Sequence, residues 1–297
     1  MKKIDIHCHV LAFPEYTPPR PNGGKILSAE EQLREHEKLN VEYGVLLPSG
    51  GMEAQWHLIS TESAMYVADR HPDHFVWFCN VDPRAGNYNA KTDLGYLLNY
   101  YKERGAKGLG ELMAPINADD PMMDNLFGFC EQLKLPVLIH IAPQHGDTYG
   151  IVDELGLPRI ERMLKKHPDM QLIGHSAAFW GEISTGLTQE MRNDYPTGKV
   201  TEGRLPKLMR DYGNLTCDLS AGSGSNAMMR DPEFAAGFLT EFSDRIYYGT
   251  DICATGQTFQ YQFDNFLSNL ADTGMISRET YEKVIRKNAA KLLGLPE

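Results

Sequence analysis

The stretch Ile4-Asp5-Ile6-His7-Cys8-His9-Val10 decides how the rest of the chain is read. Its apolar residues fit a short buried strand, which closes on two histidines two positions apart. Successive strand side chains point to opposite faces, so His7 and His9 project to the same side. Two imidazoles on one side of a strand end are the beginning of a transition-metal site. The pair is weak by itself, because ten His in 297 residues produce His-x-His by chance about 0.3 times. Other parts of the chain must supply its partners.

Composition narrows the function classes. The chain is 42% hydrophobic and 23% charged, ordinary for a globular protein, and its length suits one α/β barrel domain over residues 1–297. A net charge of −11 and a pI near 5.4 argue against nucleic acid or anionic membrane as a partner. No run approaches the length of a membrane span. The expected partner is a small-molecule substrate, with homo-oligomerisation left open. Met-Lys-Lys runs straight into the first strand without the apolar region of a signal peptide. The five cysteines (Cys8, Cys79, Cys130, Cys217, Cys253) are odd in number and fall mostly inside expected strands or helices. They read as reduced, packed thiols of a cytoplasmic protein. Cys8 and Cys253 flank candidate ligands, and strand parity is expected to turn both toward the core.

Outward from the first strand, short apolar runs alternate with segments of helical period. Strands are expected at Ile4–His9, Val45–Pro48, Phe75–Val81, Gly108–Met113, Val137–Ile141, Gln171–His175, Leu215–Leu219 and Ile246–Thr250. Most lack polar alternation, as strands buried on both faces should. Helices are expected at Ser28–Glu42, Glu53–Arg70, Asn89–Arg104, Met122–Leu133, Leu157–Lys166, Arg204–Tyr212, Pro232–Phe242 and Ser277–Leu293. Eight strand–helix pairs predict a single closed (β/α)8 TIM barrel. An open doubly wound sheet fits less well, since no Gly-rich phosphate turn follows the first strand. The links from helix to strand are short. Those from strand to helix are long (Leu11–Leu27, Ala142–Gly156, Ala177–Gly203, Ala221–Arg230), and barrel enzymes build their sites from such loops.

Three more strand ends carry candidate ligands: His140 on the fifth strand, His175 on the sixth and Asp251 on the eighth. In a barrel these ends converge on one mouth. His7, His9, His140 and Asp251 make an N,N,N,O set with room for water, which suits one divalent ion, zinc first and manganese second. His175, left over, suits an acid, base or electrophile. Glu111 ends the fourth strand, and three roles stay open for it: a bridge to a second metal, support of a histidine, or substrate contact. His145, Tyr149, Phe179 and Trp180 lie in site-side loops, where substrate contact and loop packing compete. His71 and His74 fall in a helix-to-strand link at the far end and suit surface or capping roles. Asp119 and Asp120 precede a helix and read as caps. Arg159, Arg192 and Arg230 are the loop-side cations available to offset a substrate charge.

His7-Cys8-His9, His140, His175 and Asp251, in that order, resemble the amidohydrolase superfamily. The nearest resemblance is to its amidohydrolase-related branch, which includes aminocarboxymuconate-semialdehyde decarboxylase. Asn288-Ala289-Ala290-Lys291-Leu292-Leu293-Gly294-Leu295 is similar to that branch's C-terminal helix. The resemblance implies one metal on His7, His9, His140 and Asp251, with His175 beside it and Asp251 taking a proton from metal-activated water. Two segments depart from the decarboxylases. His175-Ser176-Ala177-Ala178-Phe179-Trp180 lacks their Gly-rich run, and Asp251-Ile252-Cys253-Ala254 lacks their aromatic-Pro-His run. With Glu111 present, the expectation is hydrolysis of a small, carboxylate-bearing or cyclic substrate, with His175, Asp251 and Glu111 as the catalytic groups. Nonoxidative decarboxylation is the alternative, and a non-catalytic metal-binding barrel the reading from another class.

Overall fold

A computed structural model describes residues 1–20, 23–49, 58–146 and 148–297. Among the described residues nine strands pair in parallel: β1 (Lys3–Cys8), β2 (Val41–Leu46), β3 (Phe75–Trp77), β4 (Leu109–Leu112), β5 (Val137–Ala142), β6 (Ile151–Val152), β7 (Leu172–His175), β8 (Leu215–Asp218) and β9 (Ile246–Tyr247). They form two arcs, β1-β2-β3 and β4-β5-β7-β8-β9. One seam between the arcs is carried by the Cys79–Leu109 bridge and by Lys107 N–H donating to Trp77 O at 2.9 Å. At the other, Ile6 N–H donates to Tyr248 O at 3.1 Å and Asp251 N–H to His7 O at 3.0 Å. The ring is the expected (β/α)8 barrel, with β6 an added strand on β5 beyond its end.

Ile4, Ile6, Val45, Leu47, Phe78, Leu138, Ile173 and Tyr247 fill the barrel interior, and Ala289, Ala290 and Leu293 of the last helix close its floor. The alternate residues, among them Leu46, Trp77, Val137, Leu172 and Ile246, face the helices. Packing on both faces explains why these strands show no polar alternation. In β1 the alternation is broken. Ile4 and Ile6 point inward, whereas Asp5 and Cys8, three apart, both reach His36 on the outer helix. The pairing of β1 with β2 is irregular between Asp5 and Cys8. This bulge turns His7 and His9 into the mouth, a familiar use of bulges beside active sites.

Several expected elements shift. The first helix runs Ala29–Leu39, opened by a Ser28/Glu31 capping box and ended by Asn40 in the left-handed conformation, so Glu42 belongs to β2. The next covers Thr61–Arg70; residues 53–57 of the expected helix lie outside the described residues. Gly95–Glu103 replaces Asn89–Arg104. Helices Ala221–Met229 and Phe259–Asp272 were not expected. The latter is rich in aromatics, Asn and Ser, which are poor helix formers, and it is held by burial of Phe263, Leu267 and Leu270 at helical spacing. The long strand-to-helix segments are therefore built layers: Ala142–Gly156 contains β6, and Ala177–Gly203 contains a helical turn at Ala177–Trp180. Among the described residues no helix is long and apolar enough to cross a membrane.

Candidate metal centre

The C-terminal ends of β1, β4, β5, β7 and β8, with the segment after β9, bring His7, His9, Glu111, His140, His175, Asp218 and Asp251 together. His7 Nε2 and His9 Nε2 stand 3.1 Å apart. Asp251 Oδ1 lies 3.7 Å from each, and Glu111 Oε2 lies 3.7 Å from the first and 3.2 Å from the second. Donor atoms arranged about 2.1 Å from one ion sit roughly 3–3.4 Å from one another. The spacing therefore fits a divalent metal at their centre. The ring orientations fit it too. His7 Nδ1–H donates to Asp218 Oδ2 at 2.6 Å, and His9 Nδ1–H donates to Leu47 O at 3.0 Å. A carboxylate or carbonyl on the far nitrogen fixes the tautomer that leaves Nε2 free to ligate.

His140 lies beside these donors and contacts Glu111. Its Nδ1–H donates to Glu111 Oε1 at 2.6 Å, on the opposite side of that carboxylate. His175 Nε2 is 4.0 Å from the same oxygen. Its Nδ1 is anchored as that of His7 is, 3.1 Å from Ser220 Oγ and 3.2 Å from Asp218 Oδ2. The donors thus form two groups sharing Glu111, namely His7 and His9 on Oε2, and His140 and His175 on Oε1.

Electrostatics agree with a cation site. Three carboxylates, Glu111, Asp218 and Asp251, face the imidazoles of His7, His9, His140 and His175. Burial would lower the His7 imidazole, but Asp251 and Asp218 outweigh it and hold its pKa well above the ordinary value. Burial would raise Glu111 and Asp218, yet His140, beside Glu111, and His7, beside Asp218, keep both carboxyls well below the usual range. Backbone strain gathers at the same rim. Ser176, Ala221 and Asp251, just past the ends of β7, β8 and β9, have φ of +114°, +62° and +51°, conformations that non-glycine residues avoid unless the surroundings impose them. Gly249 is required where the layers meet, since a Cβ there would lie 2.5 Å from Asp218 Oδ1 and 3.2 Å from His7 Cβ.

Above the donors is a cavity of about 450 Å³, walled by Tyr149, Asn193, Tyr195, Gly222, Gln257 and Phe259 among others. Tyr149 stacks against His140 with ring centres 4.3 Å apart. A groove of about 930 Å³ at the opposite end of the barrel, lined by Lys134, Pro136, Gln171 and Asn288, contains none of these donors.

Other expected site residues are placed differently. His145 does not line the cavity; it is held 3.1 Å from Pro115 O and 3.1 Å from Asn117 Oδ1. Trp180 and Phe179 are buried, and the Trp180 indole donates to Asp218 O at 2.9 Å, so both brace the wall. Arg159 pairs with Asp119 and Glu154, and Arg192 is buried against the Asp153 carbonyl. Asp120 caps its helix as expected. Cys8 packs outward as expected. Cys253 does not: it is half-buried, two residues past Asp251, and burial and then the Asp251 charge push its thiol up to about 11. His74, taken as a surface or capping residue, bonds His36 at 2.7 Å, and His36 reaches Asp5. Sequence reasoning missed Asp218 and Ser220. The position of Asp218 at the end of the Leu215–Asp218 strand was the available signal.

A family model described as Amidohydrolase matches residues 4–295. No curated protein matches the chain. Among solved structures, the fold is similar to an uncharacterized TIM-barrel protein from Bordetella bronchiseptica (18% identity, 99% of each chain covered, TM-score 0.65). It is also similar to 5-carboxyvanillate decarboxylase from Novosphingobium aromaticivorans, solved with manganese and a nitrobenzoic acid (15% identity, 99% of this chain and 96% of that one, TM-score 0.63). A third is a protein from Acinetobacter baumannii described as a probable 2-pyrone-4,6-dicarboxylic acid hydrolase, with citric acid bound (12% identity, 99% and 100% covered, TM-score 0.60).

Proposed function

The chain belongs to the amidohydrolase family, and from that premise we propose that it is a metal-dependent hydrolase of a small carboxylate-bearing or cyclic substrate. The observation that carries the reading is the buried Glu111 carboxylate, whose two oxygens face two different histidine pairs. His7, His9, Asp251 and Glu111 Oε2 would hold one divalent ion, zinc first and manganese second. Glu111 Oε1, His140 and His175 form a second donor group. Such an ion supplies Lewis acidity, drawing the pKa of a water toward neutrality and polarising a carbonyl.

Charge favours two ions. Glu111, Asp218 and Asp251 carry three negative charges in a buried site, and leaving a buried charge uncompensated costs several kcal/mol. One divalent ion would leave the group net negative, and two would offset all three carboxylates. Asp251, partly exposed and facing the cavity, takes the proton from the attacking water. Tyr149 and Tyr195 line the cavity above the donors. An ion held at this end would polarise a neutral ester, lactone or amide carbonyl, which the reading takes as the reacting group.

Similar structures include both a decarboxylase and a hydrolase, and fold does not choose between them. The test is to incubate metal-replete protein with panels of lactones, amides and aromatic or unsaturated carboxylic acids. Hydrolysis in the first two panels is expected. Carbon dioxide release from the acids, with the other panels untouched, would overturn the reading in favour of nonoxidative decarboxylation.

A further inference from the structure

We infer that Arg230 and Ser223 form an anion subsite that receives one carboxylate oxygen of the substrate, in an annex beside the cavity above the metal donors. This rests on the hydrolase reading for its substrate class. A small annex of about 10 Å³ lies between Trp180, Tyr195, Asn226 and Arg230. Ala177, Tyr195 and Ser223 line both the annex and the main cavity, so the two adjoin across a shared wall.

Three polar atoms there are buried without a hydrogen-bond partner: Ser223 Oγ, Arg230 Nε and Arg230 Nη2. Ser223 is only 4% exposed. A buried donor left unsatisfied costs about 1–3 kcal/mol and more when charged, so such groups in a folded protein call for a partner. Size limits what that partner is. The annex admits about one water-sized atom, too little for a ring but enough for a single oxygen whose parent group stays in the main cavity. The guanidinium presents two parallel N–H donors, and the hydroxyl adds a third, a match for a carboxylate oxygen. Two acids stand near: Asp231 is engaged, accepting from Val200 N–H at 2.9 Å and Phe234 N–H at 3.2 Å, and Asp194, which lines the annex, is exposed, so solvent screens its charge. Burial lowers the Arg230 guanidinium and Asp231 partly restores it.

The arrangement divides the cavity by charge. Three acids and the metal donors lie at the barrel mouth, and the Arg230 guanidinium lines the adjoining annex with Tyr195. A substrate with a neutral scissile carbonyl and a carboxylate several atoms away is held with the first over the donors and the second on Arg230. Helix Ala221–Met229 links the two ends, because it starts beside Ser220 and Arg230 caps it.

The experiment uses the metal-loaded protein, with succinate, monomethyl succinate and dimethyl succinate as probes in calorimetric titrations. Wild type, Arg230→Met, Arg230→Lys, Ser223→Ala and His7→Ala are compared, each checked for fold by circular dichroism. Arg230→Met is expected to weaken binding of the two charged probes by roughly tenfold to a hundredfold, the worth of a charge-assisted hydrogen bond, and to leave the diester unchanged. Arg230→Lys should restore part of the loss. Loss of carboxylate binding in His7→Ala with Arg230→Met unaffected would place the anion on the metal and overturn the subsite. So would a wild-type protein that does not distinguish acid from diester. If the hydrolase reading alone is wrong, Arg230-dependent binding persists while the lactone and amide panels stay inert.

Discussion

Replacing Asp218 with Asn should weaken metal binding without touching a ligand. Asp218 Oδ2 accepts from His7 Nδ1–H at 2.6 Å and Ser220 Oγ–H at 2.7 Å, with His175 Nδ1 at 3.2 Å; Oδ1 accepts from Ser220 N–H at 2.8 Å. Every contact uses the carboxylate as an acceptor. An amide must place its NH2 at one of the two positions, so it meets either the Ser220 backbone N–H or the His7 and Ser220 donors head-on. The clash at His7 is relieved by moving the imidazole proton to Nε2. That blocks the lone pair 3.1 Å from His9 Nε2 and within reach of Glu111 and Asp251. Loss of such outer-shell partners typically lowers metal affinity about 10–100-fold, which is about 1.4–2.8 kcal/mol. The assay is competitive titration of chelator-stripped protein with zinc in a metal buffer, with fold checked by circular dichroism. Ser220→Ala, which removes only one donor, should shift the Kd by less than tenfold. A wild-type Kd for Asp218→Asn would refute the argument that Asp218 sets the His7 tautomer.

Glu111→Gln should lower bound metal by at least one ion per chain in elemental analysis, because an amide cannot serve both histidine pairs. Two anomalous peaks about 3.5–4 Å apart are expected in crystals of the metal-loaded wild type, and a single peak there would remove the second donor group from the proposal. Gly249→Ala should cost about 1–3 kcal/mol through overpacking and also reduce metal affinity, since its Cβ would press on Asp218 and His7; Gly213→Ala, with no atom within 4 Å of its Cβ, is the control in the same thermal melts. His74 has its pKa lowered to about 4, by burial first and then by His36. Between about pH 6.5 and 4 the unfolded chain therefore binds more protons than the native one at this group, and stability falls as pH drops through that window. Urea titrations across it should show a shallower decline for His74→Gln, and identical slopes would mean that His74 contributes nothing to acid sensitivity.

Much of the barrel was legible without a structure, because parallel strands buried on both faces leave continuous apolar runs, as Val137–Ile141 and Gln171–His175 do. The residues His7, His9, His140, His175 and Asp251 were legible for a related reason: strand ends of a barrel share one mouth, so a side chain's position along its strand already implies its neighbours. Local pattern could not reveal helix Phe259–Asp272, whose residues form a helix by packing and not by propensity. Strict alternation along β1 would also have put His7 and His9 on the side of Asp5, facing His36 and the outer helices; the bulge between Asp5 and Cys8 turns them into the mouth. Tertiary structure alone decided that Glu111 stands between His7 and His9 on one side and His140 and His175 on the other, that Asp218 holds His7 from behind, and that Cys253 faces Asp251. It also left Nε and Nη2 of Arg230, one of three candidate cations, without a hydrogen-bond partner among the described residues. Each of these depends on distances between groups far apart in the chain, set by strand register, a bulge and loop packing, which no local spacing encodes.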